Sequence, residues 1–152
     1  MIRTDKRLRL SQWLIGLILC FIWGNSLLPG EISGSISDWV KDLLASLFPG
    51  EVPGVTTVGG LLRKIAHFTE FAALGLCLTW RFGMLEKRKS NALAFGALAA
   101  CVDETIQLFV PDRGPAIRDV MIDTCGVAAG MGLILLVHTF TKTSKSKENK
   151  TL

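Results

Sequence analysis

The chain has 152 residues, is 49% hydrophobic with a mean hydropathy of +0.42, and carries a net charge of +4. That length suits a single domain, and the apolar excess argues against a small water-soluble fold. The basic residues are confined to short segments, which excludes nucleic acid as the natural partner and suits the flanks of membrane spans.

Residues 1–9 form a basic N-terminus containing Arg3, Lys6, Arg7 and Arg9. The apolar stretch Leu10 to Leu28 follows, close to the ~20 residues a helix needs to cross the hydrocarbon core. A basic start before an apolar run also describes a signal peptide. The end of this run, Asn25-Ser26-Leu27-Leu28-Pro29, lacks a small-x-small cleavage site, so it is read as a retained first span. Residues 30–60 then make an outer loop. Within it, Ser37 is the expected N-cap of a short helix with Trp39, Val40, Leu43, Leu44, Leu47 and Phe48 on one face and Pro49-Gly50 as its stop. This pattern suits a helix lying on the outer interface, as an anchor rather than a lid. Glu51 to Gly60, with Pro53, Gly54, Gly59 and Gly60, reads as irregular connection.

Three more spans follow at Ile65 to Leu85, Asn91 to Val110 and Val120 to Phe140, and a polar tail, Lys142 to Leu152, is expected to be disordered. The expected fold is an all-α membrane protein with four transmembrane helices in residues 10–140, an outer amphipathic interfacial helix, and short extensions at 1–9 and 141–152. Four spans put the N-terminus, the turn around Arg81 to Lys89 and the tail on one side. That side holds twelve basic and three acidic residues, a net +9, and the other holds five basic and ten acidic residues, a net −5. The positive-inside rule then places both termini in the cytoplasm, with a plasma-membrane location. Cys20, Cys77, Cys101 and Cys125 form no CxxC pair and read as small apolar packing residues. His138 reads as interfacial.

The charges inside the spans are costly and mark a site by default. Arg63 and Lys64 open the second span, with His67 and Glu70 three residues apart on one face. Asp103, Glu104 and Gln107 come late in the third, with Asp103 and Gln107 one turn apart. Asp119 and Asp123 open the fourth. All fall at the extracytoplasmic end. The short connection Phe109 to Arg118 adds Arg113 and Arg118, whose forked donors suit a phosphate or carboxylate. Each acidic face runs into small residues, Ala100 and Gly96 on the third span and Gly126 and Gly130 on the fourth, which permit close helix packing.

A histidine beside carboxylates suits general base chemistry, and crowded carboxylates suit a proton donor. His, Glu and Asp from separate helices equally suit a divalent cation. Neither HExxH nor GxSxG is present. Ser26, beside Asn25, lies within reach of the cluster without being read as a nucleophile. Asp119 also reads as an ordinary helix N-terminal acid, and the whole cluster as a hydrogen-bonded network that keeps the helices in register.

At these residues the chain resembles the VanZ family of bacterial membrane proteins. The first matching block is Arg63-Lys64-Ile65-Ala66-His67-Phe68-Thr69-Glu70-Phe71, with Leu74-Gly75 after it. The second is Asp103-Glu104-Thr105-Ile106-Gln107-Leu108-Phe109-Val110-Pro111, then Arg113, Asp119, Gly126 and Gly130. The similarity spans roughly Leu10 to Phe140. The chain departs from the family pattern at Phe71, usually Tyr, at Asp123, usually Asn, and at Ala116, usually a small hydroxyl residue.

The resemblance implies a contribution to low-level resistance to teicoplanin, a glycopeptide that acts on the cell wall. The expectation is an outward-facing site that binds or modifies a lipid-linked cell-envelope component. In an enzymatic version His67, Glu70, Asp103, Glu104 and Asp119 carry the chemistry, and Arg63, Lys64, Gln107, Arg113, Arg118 and Asp123 hold the substrate. The alternative is a non-catalytic binding or antibiotic-shielding protein. A proton path ranks last, because the inner halves of the spans are almost wholly apolar. Expected partners are membrane lipids and a lipid-linked wall precursor or glycopeptide, with no nucleic acid.

Overall fold

The computed structural model describes residues 2–47, 58–84 and 89–148. Among these residues every regular element is a helix: α1 (Ile2–Ser26), α2 (Gly30–Leu47), α3 (Val58–Met84), α4 (Lys89–Gln107) and α5 (Ile117–Glu148). α3 is the central helix. It packs most extensively on α5 and also touches α1, α2 and α4, while α4 bridges α1 and α5.

Two helices carry segments long and apolar enough to cross a membrane, Asp5–Ser26 in α1 and Ile117–Thr141 in α5. α3 and α4 were expected to do the same, but the polar residues near one end of each interrupt their apolar length. The distribution of side chains is nonetheless inverted relative to a water-soluble bundle. Trp13, Leu17 and Phe21 make an exposed stripe along α1, Phe95, Leu98 and Val102 along α4, and Leu133, Leu136, Val137 and Phe140 along α5. Ser11, Ser26, Asp103, Glu104, Gln107 and Asp123 are buried instead. Water penalises large exposed apolar faces, whereas lipid penalises outward-facing charge, so this arrangement belongs in a bilayer.

The helices approach closely where small residues face backbone. A Cβ added to Gly130 would press on the Ala72 carbonyl, one on Gly126 on the Phe68 carbonyl, and one on Gly75 on the backbone of Val127. The Gly126 and Gly130 stripe expected from the sequence is therefore the α5 face that seats on α3, and Gly75 answers it from the other side. Gly96 of α4 receives the Val127 side chain. Phe71, Leu74, Ile22 and Val127 complete this core.

Several sequence expectations require correction. Ser37 is not an N-cap: α2 begins seven residues earlier, at Gly30, directly after Pro29, and its backbone N–H donates to the Pro111 carbonyl at 3.2 Å. The stop expected at Pro49-Gly50 lies outside the described residues. Val58, Gly59 and Gly60 belong to α3 rather than to a loop, because the helix reaches past the apolar run that located it. The third span ends at Gln107, and Leu108 to Val110 turn, with Phe109 and Val110 amides bonding back three residues to Ile106 and Gln107. The tail is helical through Glu148, propagated from the apolar turns before it. The cysteines are free, and Cys20, Cys101 and Cys125 are exposed on the outside of the bundle rather than packed within it.

Candidate functional site

The polar residues meet where the start of α3, the end of α4, the start of α5 and the end of α1 converge. His67 and Asp103 face each other with Nδ1 and Oδ2 3.9 Å apart. That distance lies within ion-pair range but beyond a hydrogen bond, so the buried Nδ1 has no hydrogen-bond partner. Gln107 donates its amide to the same Asp103 oxygen at 3.0 Å, as the one-turn spacing anticipates, and to the Ser26 hydroxyl at 3.4 Å.

Glu70 shares a helix face with His67 in sequence but takes a different partner. It turns toward α1 and accepts a 3.0 Å bond from the Asn25 amide. Asn25 also offers its carbonyl to Arg113 Nη2 at 3.3 Å. Asn25 and Ser26 thus tie α1 into the site. The sequence placed Ser26, beside Asn25, within reach of the cluster without indicating their partners.

Glu104 Oε2 accepts the Ala116 backbone N–H at 2.8 Å. Ala116 is the residue before α5 whose carbonyl takes the Asp119 and Val120 amides. A small hydroxyl residue there would act as an N-cap. Ala116 cannot, and the Glu104 carboxylate, reaching across from α4, accepts the N–H of Ala116 itself, a different backbone donor of the same turn. Asp119 sits in the first turn of α5, as a helix N-terminal acid does.

A cavity of ≈ 10 Å³, about enough for one water molecule or ion, lies among Arg63, Lys64, His67, Gln107 and Asp123, with Glu104, Asp119 and Ile122 closing it. Arg113 lies beside Arg63, and its half-buried guanidinium leaves Nε and Nη1 without partners. Burial, and then the charge of Arg63, push its pKa below the ordinary guanidinium range, while Asp103 and Glu104 pull the other way. Asp123 is 1% exposed and Asp103 0%, and each has one oxygen, Oδ1, buried without a partner.

Of the residues expected at the site, Arg118 is the exception. It is exposed on the first turn of α5, whereas Glu70, Asp103 and Arg113, which do not line the cavity either, are tied into the cluster by hydrogen bonds. Arg113 and Arg118 were expected to act together, but five residues of turn and helix start separate them and only Arg113 points inward.

The segment carrying all of these groups, residues 12–138, matches the protein family described as VanZ/LLP1. The chain belongs to the VanZ/LLP1 family. The match runs from α1 through most of α5 and includes every site residue named above. No curated protein and no solved structure matches the chain significantly. Family membership and the two long apolar helices make it a membrane protein. Of the VanZ departures noted in the sequence, Phe71 is fully buried in the α3–α5 core, Ala116 donates its backbone N–H to Glu104, and Asp123 adds a carboxylate beside His67.

Proposed function

We propose that this VanZ/LLP1 protein spans the plasma membrane four times with both termini in the cytoplasm. Its extracytoplasmic polar site binds or modifies the anionic headgroup of a lipid-linked cell-envelope component. In doing so it contributes to glycopeptide (teicoplanin) resistance. The exposed apolar stripes of α1, α4 and α5 favour lipid contact around the bundle, and the charge asymmetry between the loops favours this orientation.

One observation carries the reading. Arg63 and Lys64 line a small cavity, and Arg113, close enough to feel the Arg63 charge, keeps two buried guanidinium donors unpaired. Two neighbouring guanidiniums with free N–H groups attract an anion, and phosphate matches their fork. The cavity is too small for a sugar or a lipid chain. The headgroup rests on the cationic rim, and only a phosphate oxygen or a solvent-sized group enters. His67 sits where it can take or give a proton at that group.

The test is teicoplanin tolerance in cells expressing His67→Ala, Glu70→Ala, Asp103→Ala and Arg113→Ala singly, with membrane abundance measured for each. Loss of tolerance at normal abundance supports the site. Wild-type tolerance in all four correctly inserted variants overturns it. Glu70→Asp separates the two modes: a binding or shielding protein tolerates it, whereas a catalyst loses nearly all of its effect. Reporter fusions at residues 86 and 152 should both report the cytoplasm.

A further inference from the structure

Five carboxylates (Glu70, Asp103, Glu104, Asp119, Asp123) gather around this site, against three cations (Arg63, Lys64, Arg113) that face it. The acids are not equivalent. Glu104 accepts the Ala116 amide, and Glu70 accepts the Asn25 amide through Oε1; its Oε2 is unpartnered too, but Glu70 is not part of the tight group that the other groups below form. Asp103 keeps one oxygen free, and Asp123, almost fully buried, has an unpartnered Oδ1 as well. The third unpartnered group between them is His67 Nδ1. One ligand atom from each of His67, Asp103 and Asp123 lies within 4.8 Å of the other two. They come from three different helices.

We propose that His67, Asp103 and Asp123 form a binding site for a divalent transition-metal ion of the zinc type. Three chemical facts converge on it. One imidazole and two carboxylates are a donor set that zinc accepts, with open positions left for water or a substrate oxygen. Hard cations such as magnesium and calcium prefer oxygen alone. Two carboxylates with unsatisfied oxygens beside an unpaired ring nitrogen are costly at membrane depth, and a 2+ ion satisfies all three at once.

The geometry permits it. Zinc bonds of ~2.1 Å place neighbouring ligand atoms about 3.4 Å apart, so the group closes by little more than 1 Å through side-chain rotation. The cavity of ≈ 10 Å³ that His67 and Asp123 line accommodates one ion. His67 precedes Phe68, whose carbonyl meets Gly126, and Asp123 lies one turn before Gly126. This close α3–α5 contact therefore fixes the separation of these two ligands. Gln107, bonded to Asp103 Oδ2, holds the third ligand from behind as outer-shell partners do. The inference deepens the anion-binding reading: a metal beside Arg63 and Arg113 would bind the same phosphate oxygens. It does not depend on that reading, since binding of the ion is measured without substrate or drug.

The experiment is isothermal titration of Zn²⁺ into the full chain, purified in detergent with its affinity tag removed and stripped with chelator. One equivalent is expected, with magnesium and calcium failing to compete at millimolar excess. His67→Ala and Asp123→Asn should each weaken binding at least about 100-fold, and Gln107→Ala by 10–100-fold. His138→Asn, on the exposed end of α5, should bind as wild type. Co²⁺ added to the wild-type chain gives a second readout that needs no variant: visible absorption bands of a low-coordinate ion, displaced by Zn²⁺. The proposal is overturned if wild type binds no stoichiometric Zn²⁺, or if binding survives His67→Ala and Asp123→Asn unchanged. A result of either kind leaves the teicoplanin assay to judge the anion site separately.

Discussion

The two halves of this bundle are built from the same helices on opposite principles. Toward Gly75 and Gly130 the helices meet backbone to backbone, Gly96 receives the Val127 side chain, Leu74 and Leu78 fill what remains, and polar groups are few. Toward His67, Asp103 and Asp123 the same helices carry charges, several of which lack partners. Hydrophobic association contributes little between helices in lipid, so close packing of small residues supplies the cohesion in the first half. The second half is less well satisfied than a structural network would be, and that deficit is tolerated because the first half holds the frame. The comparison separates stability from function along one axis.

The largest effect expected from breaking this division is at the packed half. Gly130→Ala and Gly75→Ala each force a Cβ into facing backbone that has no rotamer with which to yield. Each should cost about 3 kcal/mol or more, read as a fall in Tm in detergent and in membrane abundance. Gly132→Ala, two residues away with open space around it, should be neutral or gain up to about 1 kcal/mol of helix propensity. Equal behaviour of Gly130→Ala and Gly132→Ala would show that the close approach is not what holds the bundle.

Next in size is Asn25→Ala. It removes the donor to Glu70 and leaves a buried carboxyl oxygen unsatisfied, at a cost of ~1–3 kcal/mol by thermal unfolding. In chelator-treated protein Asp123→Asn should carry no such cost. It replaces a buried carboxyl whose Oδ1 has no partner by an amide of similar volume, and should leave stability unchanged or raise it by at most about 1 kcal/mol. A destabilised Asp123→Asn apoprotein would mean that the carboxylate is a structural partner and that the polar half is better satisfied than it looks. The smallest effect is at the hinge between α4 and α5, where Asp112 adopts φ 58°, the left-handed region. Asp112→Gly relieves that conformation and should be neutral or stabilising by at most about 1 kcal/mol, measured the same way.

The sites of these predictions differ in how visible they are in the sequence. Gly126, Gly130, Gly96 and Ala100 are legible as small-residue stripes, because helical spacing alone puts them on one face. Gly75 is not, since its importance depends on Val127 arriving opposite. His67, Asp103, Asp123 and Arg63 are legible because charge inside an apolar run is conspicuous wherever the run goes. Asn25 and Ser26 are less so: polar residues at the end of an apolar helix are ordinary, and only the approach of α1 to α3 and α4 gives them partners. Arg118 shows the opposite error. It matches Arg113 in type and neighbourhood, but the first turn of α5 points it outward. Helix ends were misplaced at Ser37 and at residues 58–60 for a common reason. Apolar runs report which turns are buried or in lipid, and a helix continues past them as long as its backbone bonds can propagate.

The sequence by itself determined the all-helical class, the apolar lengths, the charge asymmetry between the loops and the residue types of the polar cluster. These are properties of local composition and of a 3.6-residue period, which need no knowledge of neighbours. The tertiary structure alone decided which polar groups find partners. Glu70 goes to Asn25, Glu104 to the Ala116 amide and one Asp103 oxygen to Gln107, and His67 Nδ1 and the Oδ1 atoms of Asp103 and Asp123 are left without hydrogen bonds. Pairing depends on which helix faces compete for the same few ångströms, and that is fixed only when the glycine contacts set the distance between α3 and α5.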